Sequence, residues 1–166
     1  MLAIERIKKF EQPIYEDIKL ETNRILSSQV FFNINLSEEE FWNLFLEYIF
    51  KNVVNLENKL NLKVNNLFQI KTDDGSIKPY VLTEYVENEI IELSCLLNEQ
   101  LTKIYVKTKK TKHDQTIKVE YIESQRKNIG FNKKEHKKQQ KSFNSKVLNK
   151  VIILKNFLLE KVRSKS

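Results

Sequence analysis

The fold turns on residues 80–122, YVLTEYVENEIIELSCLLNEQLTKIYVKTKKTKHDQTIKVEYI. The second half of this stretch alternates. Ile104 and Val106 share one side, and Ile117, Val119 and Tyr121 share one side after a connection from Lys110 to Gln115. A two-residue period on both arms predicts a β-hairpin over 103–122. The first half carries another rhythm. Leu82, Val86, Ile90, Leu93, Leu97 and Leu101 recur every three or four residues, which predicts a helix from about Tyr80 or Thr83 to Thr102. Glu84, Glu87, Glu89, Glu92 and Glu99 would line its solvent side.

Toward the N-terminus, Asp73-Asp74-Gly75-Ser76 is a tight-turn sequence, with glycine supplying a positive φ. Val64, Phe68 and Ile70 predict a strand before it. Ile77 to Leu82 predicts a short strand after it, confined to a sheet edge by Pro79. Ser37 followed by Glu40 is a capping-box spacing, so a helix should run from about 38 to about 60. Its first half, from Phe41 to Phe50, is apolar almost all round and must be buried. Val30, Phe32, Ile34 and Leu36 alternate as a strand, and Ile4, Ile7 and Phe10 mark a short helix over 2–11. Ile14, Ile18 and Ile25 continue a helical spacing to about Ser27, with Pro13 in the first turn.

Toward the C-terminus the apolar pattern stops between 123 and 146. That stretch holds eight cations (Arg126, Lys127, Lys133, Lys134, Lys137, Lys138, Lys141, Lys146) against Glu123 and Glu135. It reads as a basic loop or linker, the alternative being a helix around 132–142. A closing helix follows over 147–163. The expected architecture is therefore α+β: a single domain of short antiparallel strands and hairpins packed against about four helices. Residues 1–122 would be an acidic-to-neutral core ending in the basic hairpin, and the C-terminal helix would pack back on it after the basic loop.

Composition narrows the chemistry. Two glycines in 166 residues, Gly75 and Gly130, cannot write a phosphate loop, a dinucleotide fingerprint or a nucleophile elbow. One cysteine, Cys95, excludes a disulfide framework and a cysteine-based zinc site. With only His113 and His136, no metal site and no cofactor is expected. Asp114 with Lys118 and Glu120 has no diagnostic nuclease spacing. His113 and His136 in basic surroundings raise the alternative of a small ribonuclease. No catalytic residue is assigned, and the balance is against an enzyme. No stretch is apolar enough for a membrane span, no lipidation or export signal is visible, and a cytoplasmic protein is expected.

The net charge of +7 conceals a division. Residues 1–100 carry ten Lys and Arg against seventeen Asp and Glu, while residues 101–166 carry nineteen against five. Such asymmetry points to an acidic partner. Lys103, Tyr105, Lys107, Lys109 and Lys118 fall on the hairpin side opposite its apolar one, and Lys110 and Lys112 extend the patch around the tip. Lysines two apart on a strand stand about 6.5–7 Å apart, close to phosphate spacing. Arg126, Lys127, Lys133, Lys134, Lys137 and Lys138 would add a basic arm, with Phe131 and Tyr105 as base-stacking candidates and Phe143 as a further aromatic in the loop.

The expected function is thus non-enzymatic nucleic-acid binding, to RNA or DNA, mostly through phosphates. Arginine numbers only four, which argues against base-specific readout. The alternative is a phage- or plasmid-encoded inhibitor or adaptor that binds a nucleic-acid-processing protein. Oligomeric state leaves no mark in the sequence.

Overall fold

A computed structural model describes residues 2–12, 24–54, 61–113, 115–128 and 130–164. The elements in chain order are α1 (Ala3–Glu11), β1 (Ile25–Ile34), α2 (Glu38–Phe50), β2 (Leu67–Lys71), β3 (Ile77–Val86), β4 (Ile90–Leu97), β5 (Gln100–Lys110), β6 (Ile117–Lys127) and α3 (Lys133–Ser164). The six strands form one antiparallel sheet in the order β1-β6-β5-β4-β3-β2. Among the described residues there are three helices, not about four, and most strands are long rather than short.

The largest correction falls on residues 80–102, which are two strands and not a helix. Asn88 (φ 57°) turns the chain between β3 and β4. Asn98 (φ 53°) and Glu99 (φ 58°) form a two-residue connection between β4 and β5, both in the left-handed region that such hairpin turns demand. Between the turns the real period is two. Ile91, Leu93 and Cys95 point into the core, with Ser94 and Glu92 on the opposite side. The apparent helical stripe mixes sides: Leu82 and Leu93 are buried, whereas Val86 and Leu97 are exposed. Glu and Leu favour helices only weakly, and sheet pairing on both flanks outweighs that preference.

The second correction concerns 123–146. β6 runs on to Lys127, and α3 begins at Lys133, so the stretch is strand, a short connection and the first part of a 32-residue helix. The alternative helix around 132–142 lies within α3. Asn132 caps it, its side-chain oxygen accepting from the Glu135 amide at 2.8 Å. The helix is roughly 48 Å long. Phe143, Val147, Val151, Leu154 and Leu158 bury one stripe against the sheet and α2.

Elsewhere the sequence reading fares better. The Ser37 side chain accepts from the Glu40 amide at 3.1 Å, and α2 starts at Glu38. It ends at Phe50, and residues 55–60 of the expected longer helix lie outside the described residues. The helix expected to reach Ser27 is overtaken by β1 from Ile25, and its residues 13–23 lie outside the described residues. β3 is longer than expected, but Pro79 sits where only β2 flanks it, since pairing with β4 starts at Val81.

The sheet has two unlike sides. The inner side, carrying Leu82, Leu93, Val106, Val119 and Phe68, packs against α2 and α3 to form the main core. Phe41, Trp42 and Phe45 of α2 form a mutually packed aromatic group, and the Trp42 indole N–H donates to Thr108 Oγ1 at 2.8 Å. Among the described residues the outer side is covered at one end, where Ile7 of α1 packs on Val81 and Leu101. β1 is an edge strand, and α3 guards part of it. Gln140 donates to the Ser27 carbonyl (2.8 Å) and accepts from its amide (3.2 Å), while His136 Nε2 lies 2.8 Å from the Ile25 carbonyl.

Candidate functional site

Between the inner side of the sheet and the two helices lies a cavity of about 190 Å³. Phe45 and Ile49 of α2, Leu93 and Ile104 of the sheet floor, and Leu154 of α3 supply its apolar walls. Polar groups reach it from three directions: Tyr80 from β3, Tyr121 and Glu123 from β6, and Lys150 from α3. Tyr48 completes one side, and Asn52, Thr72 and Asp73 stand around it.

Strand alternation puts the carboxylate there. Ile117, Val119 and Tyr121 face inward, so Glu123 must as well, and it is only 2% exposed. A buried carboxylate is tolerable only with dedicated partners. Tyr121 Oη donates to Glu123 Oε1 at 3.0 Å, and Lys150 Nζ donates to Oε2 at 2.8 Å. Lys150 sits among Val147, Val151 and Leu154 on the inward stripe of α3, yet its side chain is half exposed. The pair thus links the cavity to solvent, and both residues also line a smaller neighbouring pocket of about 80 Å³ with Gln125, Gln139 and Lys146.

The phenols around the carboxylate hold their protons. Burial, then the Glu123 charge and its hydrogen bond, push Tyr121 well above the usual phenol range. Burial first, then the charges of Cys95 and Glu123, raise Tyr80, and burial followed by Asp73 raises Tyr48. Burial likewise raises the Cys95 thiol. Among the described residues no group of three or more His, Cys, Asp or Glu is placed to hold a metal ion.

The residues expected to contact nucleic acid are distributed differently. Lys103, Tyr105, Lys107, Lys109 and Lys118 do share the outer side of the sheet, as the alternation required. That side is mixed in sign. Lys103 pairs with Glu11 (2.8 Å) and Glu92 (3.6 Å), Lys107 stands opposite Glu120, and Tyr105 is surrounded by Glu84, Glu120, Glu92 and Glu89. Lys110, near Glu38 at 3.9 Å, and Lys112 stand at the hairpin tip. Arg126 and Lys127 close the far end of β6, roughly 30 Å away. Lys133, Lys134, Lys137 and Lys138 occupy the first turns of α3, the helix that packs on the inner side.

The cations of the second half therefore divide among three places rather than forming one face. Phe131 is packed against the core with the Lys127 ammonium 4.7 Å from its ring, and Phe143 is buried in the core. Neither aromatic projects from a loop. His113 at the tip and His136 at the start of α3 are at opposite ends of the sheet and share no site. Asp114 lies outside the described residues.

No family model matches the sequence, and no curated protein does. Solved structures do resemble its fold. Protein MLL2253 from Mesorhizobium loti is 13% identical, with a TM-score of 0.57 over 84% of this chain and 98% of that one. The di-domain ARO/CYC StfQ from the steffimycin biosynthetic pathway is 10% identical, with a TM-score of 0.56 over 86% of this chain and 53% of its own length. CalU16 from Micromonospora echinospora is 9% identical, with a TM-score of 0.55 over 83% of this chain and 79% of that one. At these identities the likeness fixes the fold alone, a six-stranded antiparallel sheet with three helices among the described residues, and corrects the α+β arrangement of short hairpins expected above. Among the described residues no helix is long and apolar enough to cross a membrane.

Proposed function

We propose that this chain binds a small, largely apolar molecule in the cavity between its sheet and its two packing helices. One observation carries the reading: Glu123, buried and held by Tyr121 and Lys150, forms a polar end of a cavity whose walls are largely apolar. Ion pairs of this kind are seldom the cheapest way to stabilise a core, since well-packed apolar residues often do as well or better. Concave, mostly apolar sites with a few convergent polar groups are the usual form of small-molecule sites. The free, buried thiol of Cys95 suits a reducing, cytoplasmic setting.

The test is a titration with p-xylene followed by methyl NMR. Shifts confined to Ile49, Ile70, Leu93, Ile104 and Leu154 are expected, and Ile104→Trp, which fills the space, should abolish them. Unchanged spectra in the native protein would remove the reading.

A second reading, phosphate contact with RNA or DNA, keeps support from one observation: Lys107, Lys109 and Lys118 share the outer side of the sheet. Three phosphate contacts on a duplex would give a slope of log K against log salt of about −3. Labelled duplex and single strands titrated at two salt concentrations test it, and no salt-dependent binding would end it. Recovery of a stoichiometric protein after nuclease treatment would instead favour a protein partner.

A further inference from the structure

Within the cavity, Tyr80 is unlike Tyr121, whose hydroxyl donates to Glu123. It is 8% exposed, it lines the cavity, and its hydroxyl makes no hydrogen bond among the described residues. The hydroxyl keeps accessible surface, so a molecule in the cavity can supply the partner that tyrosine hydroxyls in such settings normally find. Glu123 shows the complementary surplus. A carboxylate offers about four lone-pair positions. One oxygen takes the Tyr121 hydroxyl and the other the Lys150 ammonium, which leaves acceptor capacity unused. At the buried end of the cavity Tyr80 on β3 is therefore a spare donor and Glu123 on β6 a spare acceptor.

Charge selects among ligands that could use them. Lys150, 2.8 Å from Glu123, already balances the carboxylate, and Asp73 stands exposed at the rim, where water solvates it. A cationic ligand would be repelled by that ammonium, and an anionic one would face the carboxylate. Size selects as well. A cavity of about 150 Å³ lined by apolar side chains admits benzene. The 190 Å³ here has room for a single ring with small substituents.

Resting on the reading of the cavity as a ligand site, we infer that its occupant is a neutral, hydroxyl-bearing molecule of one-ring size. A hydroxyl of the ligand donates to Glu123, and an oxygen of the same molecule accepts from the Tyr80 hydroxyl. Phe45, Ile49, Leu93, Ile104 and Leu154 enclose its ring.

Calorimetric titration of the full chain with hydroquinone, under a mild reductant, and with p-xylene, which has nearly the same shape, tests this. Tyr80→Phe removes only the donor, and its unfolding midpoint verifies that the variant is folded. The variant should bind hydroquinone about fivefold to tenfold more weakly, the size of one net hydrogen bond, and p-xylene no more weakly than before. If both ligands respond alike to Tyr80→Phe, the inference fails while the cavity remains a ligand site. Tighter binding of benzylammonium or benzoate than of hydroquinone would also overturn it. If neither hydroquinone nor p-xylene binds, the cavity reading falls and takes this inference with it.

Discussion

The two sides of the sheet handle charge in opposite ways. The inner side carries one buried carboxylate, Glu123, and gives it two dedicated donors. The outer side carries a lattice of opposed charges, with Lys103 between Glu11 and Glu92 and Lys107 opposite Glu120. Surface pairs of this sort contribute little, because water already solvates both partners. A buried pair costs desolvation and is kept only where its partners fit. Abundance of charge is thus a poor guide to function in this molecule, and an isolated charge in an apolar setting is a better one.

The contrast can be broken most directly by truncation. Leu93→Ala on the inner side should destabilise by about 2–5 kcal/mol, against under about 0.5 kcal/mol for Lys107→Ala outside. Urea unfolding with an unchanged m-value measures both. Next, Lys150→Met leaves the Glu123 carboxylate with Tyr121 alone. A cost of about 1–3 kcal/mol is expected, moderated because Lys150 is half exposed. Adding Glu123→Leu should restore most of it, as replacing both partners by apolar groups commonly does. Restoration would separate the pair's role in binding from any role in stability.

Alkaline pH sharpens the comparison from another direction. Tyr80 and Tyr121 have raised values in the folded chain, so they favour folding while protonated. Their contribution is complete below the unfolded phenol value near 10 and declines as pH rises from there toward the folded values. Each tyrosine should cost on the order of 1.4 kcal/mol per pH unit across that window. Unfolding midpoints from pH 9 to 11, with Tyr80→Phe and Tyr121→Phe flattening the decline, check it. The smallest effect belongs to Lys103→Ala, where under about 1 kcal/mol is expected despite two ion pairs.

What the sequence disclosed follows the same division between local and distant causes. The α2 start at Ser37, the turn at Gly75 and the β5–β6 hairpin depend on neighbours within a few residues, and they were legible. Asn132 and Glu135 repeat the spacing of Ser37 and Glu40, yet the lysines between and after them hide the start of α3. Residues 80–102 satisfy a helical spacing and a strand spacing at once, and only pairing with β2 and β5 decides between them. The cavity residues left two signals. Glu123 continues the alternation of Ile117, Val119 and Tyr121, and Lys150 interrupts an apolar stripe between Val147 and Leu154. Ending the strand at Ile122 concealed the first. Nothing local marks Tyr80, whose role depends on a sheet and two helices meeting above it.

The amide of Gln140 on β1 has a consequence for how this molecule behaves in a crowd. Unpaired strand margins are where proteins stick together and where fibrils recruit new layers. A visiting strand docking at that margin would need the amide and carbonyl of Ser27 and the carbonyl of Ile25, and α3 has claimed all three. The long helix that roofs the cavity is therefore also a sentry against self-association, and shortening it from its N-terminal side should raise the tendency to aggregate before it loosens the core.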